Sequence, residues 1–147
     1  YDVVLKVKGI SYHQESFSDL CQELIKEADD APYLGCTAKE IKEELIFSDR
    51  FYKYSPFELS DVDFVPEMDN QFDPNAVKIV VRGYHLGYVT KSKNRKVLRL
   101  TADSNNEVIK IAKIYGGDYK DIDPESDKLR TVKDSFKIQI KLKVLRK

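Results

Sequence analysis

The chain has 147 residues, enough for one domain with a real core and hardly for two. With 41% hydrophobic and 34% charged residues it has the composition of a globular fold with a densely charged surface, which excludes fibrous and low-complexity classes. No stretch approaches the roughly 20 apolar residues that span a bilayer, and no signal-peptide pattern opens the chain. The expectation is an intracellular protein, cytoplasmic if bacterial and nuclear if eukaryotic, with no membrane partner.

Net charge is zero, but the signs are separated along the chain. Residues 1–75 hold 7 Lys/Arg against 17 Asp/Glu, a net of −10, and residues 76–147 hold 18 against 8, a net of +10. Solubility alone gives little reason for that separation. If the basic half presents one face, that face suits an anionic ligand; if the halves interleave in space, they cancel.

In chain order, the opening "DVVLKVKGISY" reads as a strand through Val7, Ile10 and Tyr12, with Gly9 marking a bulge or bend. From Ser16 the period changes to three and four: Phe17, Leu20, Cys21, Leu24, Ile25 and Ala28 form the stripe of an amphipathic helix. "DDAPYLG" breaks it. Thr37 with Glu40 three residues on is a capping-box pattern that opens a second, acidic helix through Ile41, Leu45 and Ile46. "RFYKYSPF" is aromatic and irregular. Strand then dominates. "FELSDVDFVPE" alternates and closes at Pro66, and "NAVKIVVRGYHLGYV" is a hairpin with Gly83 in its turn. "KSKNRKVLRL" predicts a short basic helix, "EVIKIAKIYGG" a strand, "DYKDIDPESDKLRTVKDS" a polar loop, and "FKIQIKLKVL" the cleanest alternation in the chain. These elements predict a mainly β, α+β fold: a small OB-like or SH3-like barrel of about six strands, with a helical pair inserted over about residues 15–55.

Chemistry-bearing patterns are sparse. His13 and His85 sit in no triad or HExxH pattern, and no glycine-rich phosphate loop is present, so the chain reads as a non-enzyme with no cofactor. Cys21 and Cys36 lack metal-ligand spacing, and the two histidines do not complete a zinc set. The pattern that stands out is "DNQFDPNAVKIVV", residues 69–81, where Phe72 sits inside a polar turn. Either Phe72 folds back over the core or it stands at the rim of a site. Asp-Pro-Asn is a good turn whatever its ligand, because Asp can accept from the backbone two residues on and Pro fixes its own φ.

Together with its flanks, the stretch "EMDNQFDPNAVKIVVRGYHLGYVTKS" resembles the signature of the HIRAN domain, the module at the front of helicase-like transcription factor and related fork-remodelling ATPases. The pattern is met by Glu67, Asn70, Phe72, Asp73, Asn75, Ala76, Val77, Gly87, Tyr88, Val89 and Lys91. Weaker similarity extends to "VKGISY", "KIYGGDY" and "FKIQIKL", so the chain reads as a single HIRAN-like domain over 1–147. The resemblance implies an OB-like barrel that captures the unpaired 3′ end of single-stranded DNA, in repair or replication. By motif position, Tyr12, Phe72, Asp73, Tyr88, Lys91 and Phe136 would line the pocket: aromatics stacking on bases, Asp73 accepting from the 3′-hydroxyl, Lys91 on phosphate. Lys93, Arg95 and Lys96 are further phosphate-contact candidates. One position departs from the family: its DNA-binding members carry Arg just before the first-strand Tyr, where Ser11 stands here. A second reading is a protein-interaction module, with a partner surface on the helical insertion formed by Phe17, Leu20 and Leu24 and then Phe51, Tyr52 and Tyr54, and a decayed DNA pocket.

Overall fold

The computed structural model describes all 147 residues. It is mainly β with three α-helices, in the order β1 (Asp2–Leu5), β2 (Val7–Lys8), α1 (Gln14–Glu27), α2 (Ala38–Glu44), β3 (Phe51–Tyr52), β4 (Phe57–Leu59), β5 (Val62–Pro66), β6 (Val77–Val81), β7 (Tyr84–Val89), α3 (Asn94–Ala102), β8 (Asn106–Gly116), β9 (Tyr119–Ile122), β10 (Leu129–Val132) and β11 (Phe136–Arg146). The strands form three antiparallel sheets, ordered β1-β11-β8-β4, β2-β7-β6-β5 and β10-β9-β3. None closes on itself, so the expected six-stranded barrel is not formed; each sheet keeps two free edges. The chain crosses between the two larger sheets at Lys6, which divides β1 from β2, and again between β4 and β5.

Both larger sheets contribute to one core. Val3, Leu5, Ala112, Ile114, Ile140 and Leu142 from the first meet Val62, Val77, Ile79, Val81, Leu86 and Val89 from the second. Helix α1 adds Phe17, Leu20, Cys21 and Leu24 to the same core, and α3 adds Val97 and Leu100. Burying an aliphatic or Phe side chain is worth about 1.5–3 kcal/mol, so these residues hold both helices firmly. No strand interrupts residues 14–47, and the Thr37–Glu40 capping box is formed in both directions at α2.

Two segments differ from the sequence reading. The first strand does not continue to Tyr12: it ends at Lys8, Gly9 takes a left-handed φ of 78°, and Ile10–His13 wind into a 3₁₀ turn. The stretch read as a polar loop after Gly117 contains the hairpin β9–β10. Few of its residues are buried. Arg130 lies directly across from Asp121 and binds it twice, Nε to Oδ1 at 2.6 Å and Nη2 to Oδ2 at 3.2 Å, a pairing that alternation of apolar residues does not reveal.

The β6–β7 hairpin is as expected. Arg82 and Gly83 both have positive φ, 50° and 82°, as a two-residue turn matching the strand twist requires. No helix is long and apolar enough to cross a membrane.

Candidate nucleic-acid interface

The turn between β5 and β6 is built around Asn70. Its Oδ1 accepts from the backbone N–H of Phe72 at 2.9 Å and of Asp73 at 3.0 Å, and its Nδ2 donates to Glu67 Oε1 at 2.9 Å. Asp73 then shapes the next step: its Oδ1 accepts from the Asn75 N–H at 2.9 Å, the Asx turn expected of Asp-Pro-Asn. A segment of polar residues is thereby fixed with few apolar contacts. Its aromatic is turned to solvent: Phe72 is 86% exposed, so it does not fold back over the core.

Two neighbouring elements are tied to this turn. From β7, the Tyr88 hydroxyl donates to Glu67 Oε1 at 3.1 Å, while Lys78 of β6 pairs with Glu67 Oε2 at 2.9 Å. From α3, Asn94 donates its Nδ2 to Asp73 Oδ2 at 3.2 Å. Asn94 is 3% exposed and is the one buried polar residue of the chain. A buried amide must find a partner, so this bond fixes Asp73 against the start of α3. An ionised carboxylate has about four acceptor sites, and the two bonds to Asn75 and Asn94 leave room for a further donor.

Beside Tyr88 stand two histidines. His85 and His13 approach with ring centroids 4.2 Å apart, and Tyr88 meets His85 edge-on at 5.1 Å. The His85 Nε2–H donates to the Gly87 carbonyl at 3.1 Å, because a carbonyl only accepts. Tyr12, next to His13 in the 3₁₀ turn, is 87% exposed.

The structure thus joins Asp73, Phe72 and Tyr88 in one bonded network and sets Tyr12 beside its histidine end. Lys91, Arg95 and Lys96 are exposed around the start of α3, where Lys93 donates to the Val4 carbonyl at 3.2 Å. Phe136 lies apart from this network. It opens β11, half-buried, with its ring near Phe57 at 6.4 Å and against Gly117, where an added Cβ would lie 2.8 Å from it. Ser11 is exposed.

The HIRAN domain model matches residues 48–141. The chain belongs to the HIRAN domain family. That family is associated with DNA binding, and the matched segment holds every candidate above except Tyr12. No curated protein and no solved structure matches the chain.

Sequence reasoning missed how this HIRAN domain holds its turn. Asn70 was visible only as a motif position, although an Asn two and three residues before unpaired backbone donors is a usable sign. Asn94 was visible as one polar residue in the basic helix, and its burial, on the same helix as the buried Val97 and Leu100, is not readable from its residue type.

Titration of this cluster runs in one direction. Burial, then His13, hold the His85 pKa below its ordinary 6.5. The bonds from Lys78 and Asn70 hold the Glu67 carboxyl below its ordinary 4.5. A depressed folded pKa means that the unfolded chain takes up the proton first, so both contributions are intact above the ordinary values and are lost as pH falls. The expected result is a thermal midpoint that falls from pH 6.5 downward, in a first stage from His85 and a second from Glu67 together with Glu40, Asp121, Asp123 and Asp134, whose carboxyls are also held below their ordinary values. His85→Gln should remove the first stage only, read by thermal unfolding monitored by circular dichroism.

Proposed function

We propose that this HIRAN domain is a non-catalytic module that binds single-stranded DNA, preferably at a free 3′-hydroxyl end, and serves intracellular DNA repair or replication. The observation that carries the reading is the Asn70 turn, which presents an exposed Phe72 beside a fixed Asp73 with acceptor capacity left. An aromatic face held out on a stiff loop suits a base. Such stacking is worth about 1–3 kcal/mol per base and tolerates any sequence. A carboxylate accepts from a hydroxyl and repels a phosphate, which distinguishes a strand end from an internal linkage. Lys91, Arg95 and Lys96 supply a salt-sensitive phosphate attraction at the adjoining helix.

Fluorescence anisotropy separates the roles. Asp73→Ala should erase the preference for a hydroxyl over a phosphate end, while Phe72→Ala should weaken both strands alike. Lys91→Ala and Lys96→Ala should lower affinity and flatten its fall with salt, without loss of folding. An Asp73→Ala protein that keeps the wild-type end preference overturns the hydroxyl assignment.

One observation favours the protein-interaction reading. Phe17, Leu20 and Leu24 are buried in the core and present no surface to a partner, but Leu34, Ile46 and Phe47 are exposed near α2, apolar side chains that the DNA site does not use. On that reading no strand binds, and Phe72→Ala changes nothing.

A further inference from the structure

The His13–His85 pair stands beside Tyr12 and Tyr88 with no acid of its own. Its ring centroids are 4.2 Å apart and tilted by 44°, and Tyr88 meets both rings edge-on, His85 at 5.1 Å and His13 at 6.4 Å. The Gly87 carbonyl holds His85 Nε2–H. His13 is half-buried in the 3₁₀ turn, next to the exposed Tyr12, and its ring makes no hydrogen bond and no ion pair. The charges around the pair are few. Glu67 accepts from Asn70 and Tyr88 with one oxygen and pairs with Lys78 through the other, so both its oxygens are engaged. Lys8 of β2, directly across from Tyr88, and Glu15, in the first turn of α1, are exposed and unpaired. A proton on the pair therefore has no carboxylate partner within the protein. Two imidazolium rings this close repel each other, so the pair takes up one proton well before a second.

The pair is joined to the Asp73 turn, because Tyr88 bonds Glu67, Glu67 bonds Asn70, and Asn70 holds the Asp73 backbone. We infer that His13, backed by His85, takes up a proton when a strand binds and holds the backbone phosphate next to the 3′-terminal nucleotide. This rests on the proposed reading of the turn as an end site. A phosphodiester is an anion of the kind the pair lacks, and an imidazolium gives it a charge-assisted hydrogen bond. The sign follows from the free protein, where burial and His13 hold His85 below its ordinary 6.5. An anion set against the pair shifts it the other way, so the bound state keeps its proton to higher pH than the free state. Affinity for the strand therefore rises as pH falls, while the stability of the free protein declines over the same range.

The test titrates the full chain with one 5′-labelled, hydroxyl-ended oligothymidylate between about pH 8 and about pH 6, and follows thermal unfolding of each variant at both limits. Wild-type affinity should rise about tenfold across that range, the effect of raising one imidazole pKa by about one unit on binding. Isothermal titration calorimetry at about pH 7, in two buffers of different ionisation enthalpy, should show a net uptake of about half a proton or more. His13→Gln should lose both the rise and the uptake. His13→Lys carries its charge throughout the range, so it should bind at the upper limit about as tightly as wild type at the lower one, with no proton taken up. Wild-type affinity that does not change with pH, or a rise that survives His13→Gln, overturns the inference. If proton uptake depends on His13 while hydroxyl- and phosphate-ended strands bind equally at the upper limit, the end reading fails and the histidine contact stands. A chain that binds neither strand overturns both.

Discussion

Replacing Asn70 with Ala should disorder the turn that holds Phe72 and Asp73, and DNA affinity should fall about tenfold or more. Asn70 Oδ1 is the shared acceptor for the backbone N–H groups of both residues, and Ala supplies none. Each such bond is worth about 1 kcal/mol net, so the expected loss of stability is about 2 kcal/mol. The loss in binding has a separate origin. A loop no longer fixed in the free protein must be ordered by the ligand, and every 1.4 kcal/mol of that cost is about a factor of ten. Urea unfolding and strand titration on the same variant measure the two effects. Asn70→Asp keeps the acceptor but loses the donor to Glu67 and sets a second carboxylate against it, so it should recover only part of the affinity. An Asn70→Ala protein with wild-type affinity would show that the turn need not be fixed to bind.

The second large effect belongs to Gly87. It lies in β7 against β2, where a Cβ would collide with the Lys8 carbonyl oxygen and lie 2.7 Å from Val7 Cγ1. The backbone cannot swing aside as a long side chain does, so β2 must separate from β7 to admit a methyl group. Overpacking of this kind costs about 1–3 kcal/mol. The consequence reaches the site, because His85 bonds the Gly87 carbonyl and Tyr88 follows directly. Gly87→Ala should therefore lower the thermal midpoint by several degrees and release the His13–His85 contact, removing the His85 stage of the pH dependence. Gly83→Ala is a useful contrast. Its added Cβ meets nothing within 4 Å, but its φ of 82° strains any L residue, so the expected loss comes from the backbone alone and leaves His85 undisturbed.

What was legible in the sequence follows from how each element is stabilised. The β6–β7 hairpin, α3 and β11 were readable because burial imposes a period on them, and Gly83 marks the turn. The motif around Phe72 and Asp73 was readable as a family signature, and the match over residues 48–141 agrees with it. The β9–β10 hairpin was not, because Arg130 and Asp121 hold it and charged residues carry no inward phase. The length of the first strand was misread because Gly9 diverts the chain into a 3₁₀ turn, which moves Tyr12 off the sheet while leaving it exposed. Barrel closure was over-read for a related reason. Alternation gives the number and phase of strands but not which edges pair, and here β1 and β2 pair with different sheets. The Asn94–Asp73 bond joins residues 21 apart and depends on how α3 lies on the core, so no local pattern announces it.

On the proposed reading, the Asp73 turn recognises a free 3′-hydroxyl. It is tested most directly by titrating the wild-type chain with two single strands of one sequence, one ending in a 3′-hydroxyl and the other in a 3′-phosphate. The phosphate removes a donor and sets negative charge against a carboxylate. Losing a hydrogen bond to a charged group costs about 1.5–3 kcal/mol, so the hydroxyl-ended strand should bind about 10- to 150-fold more tightly. Equal affinity for the two strands, or no binding of either, would contradict the account.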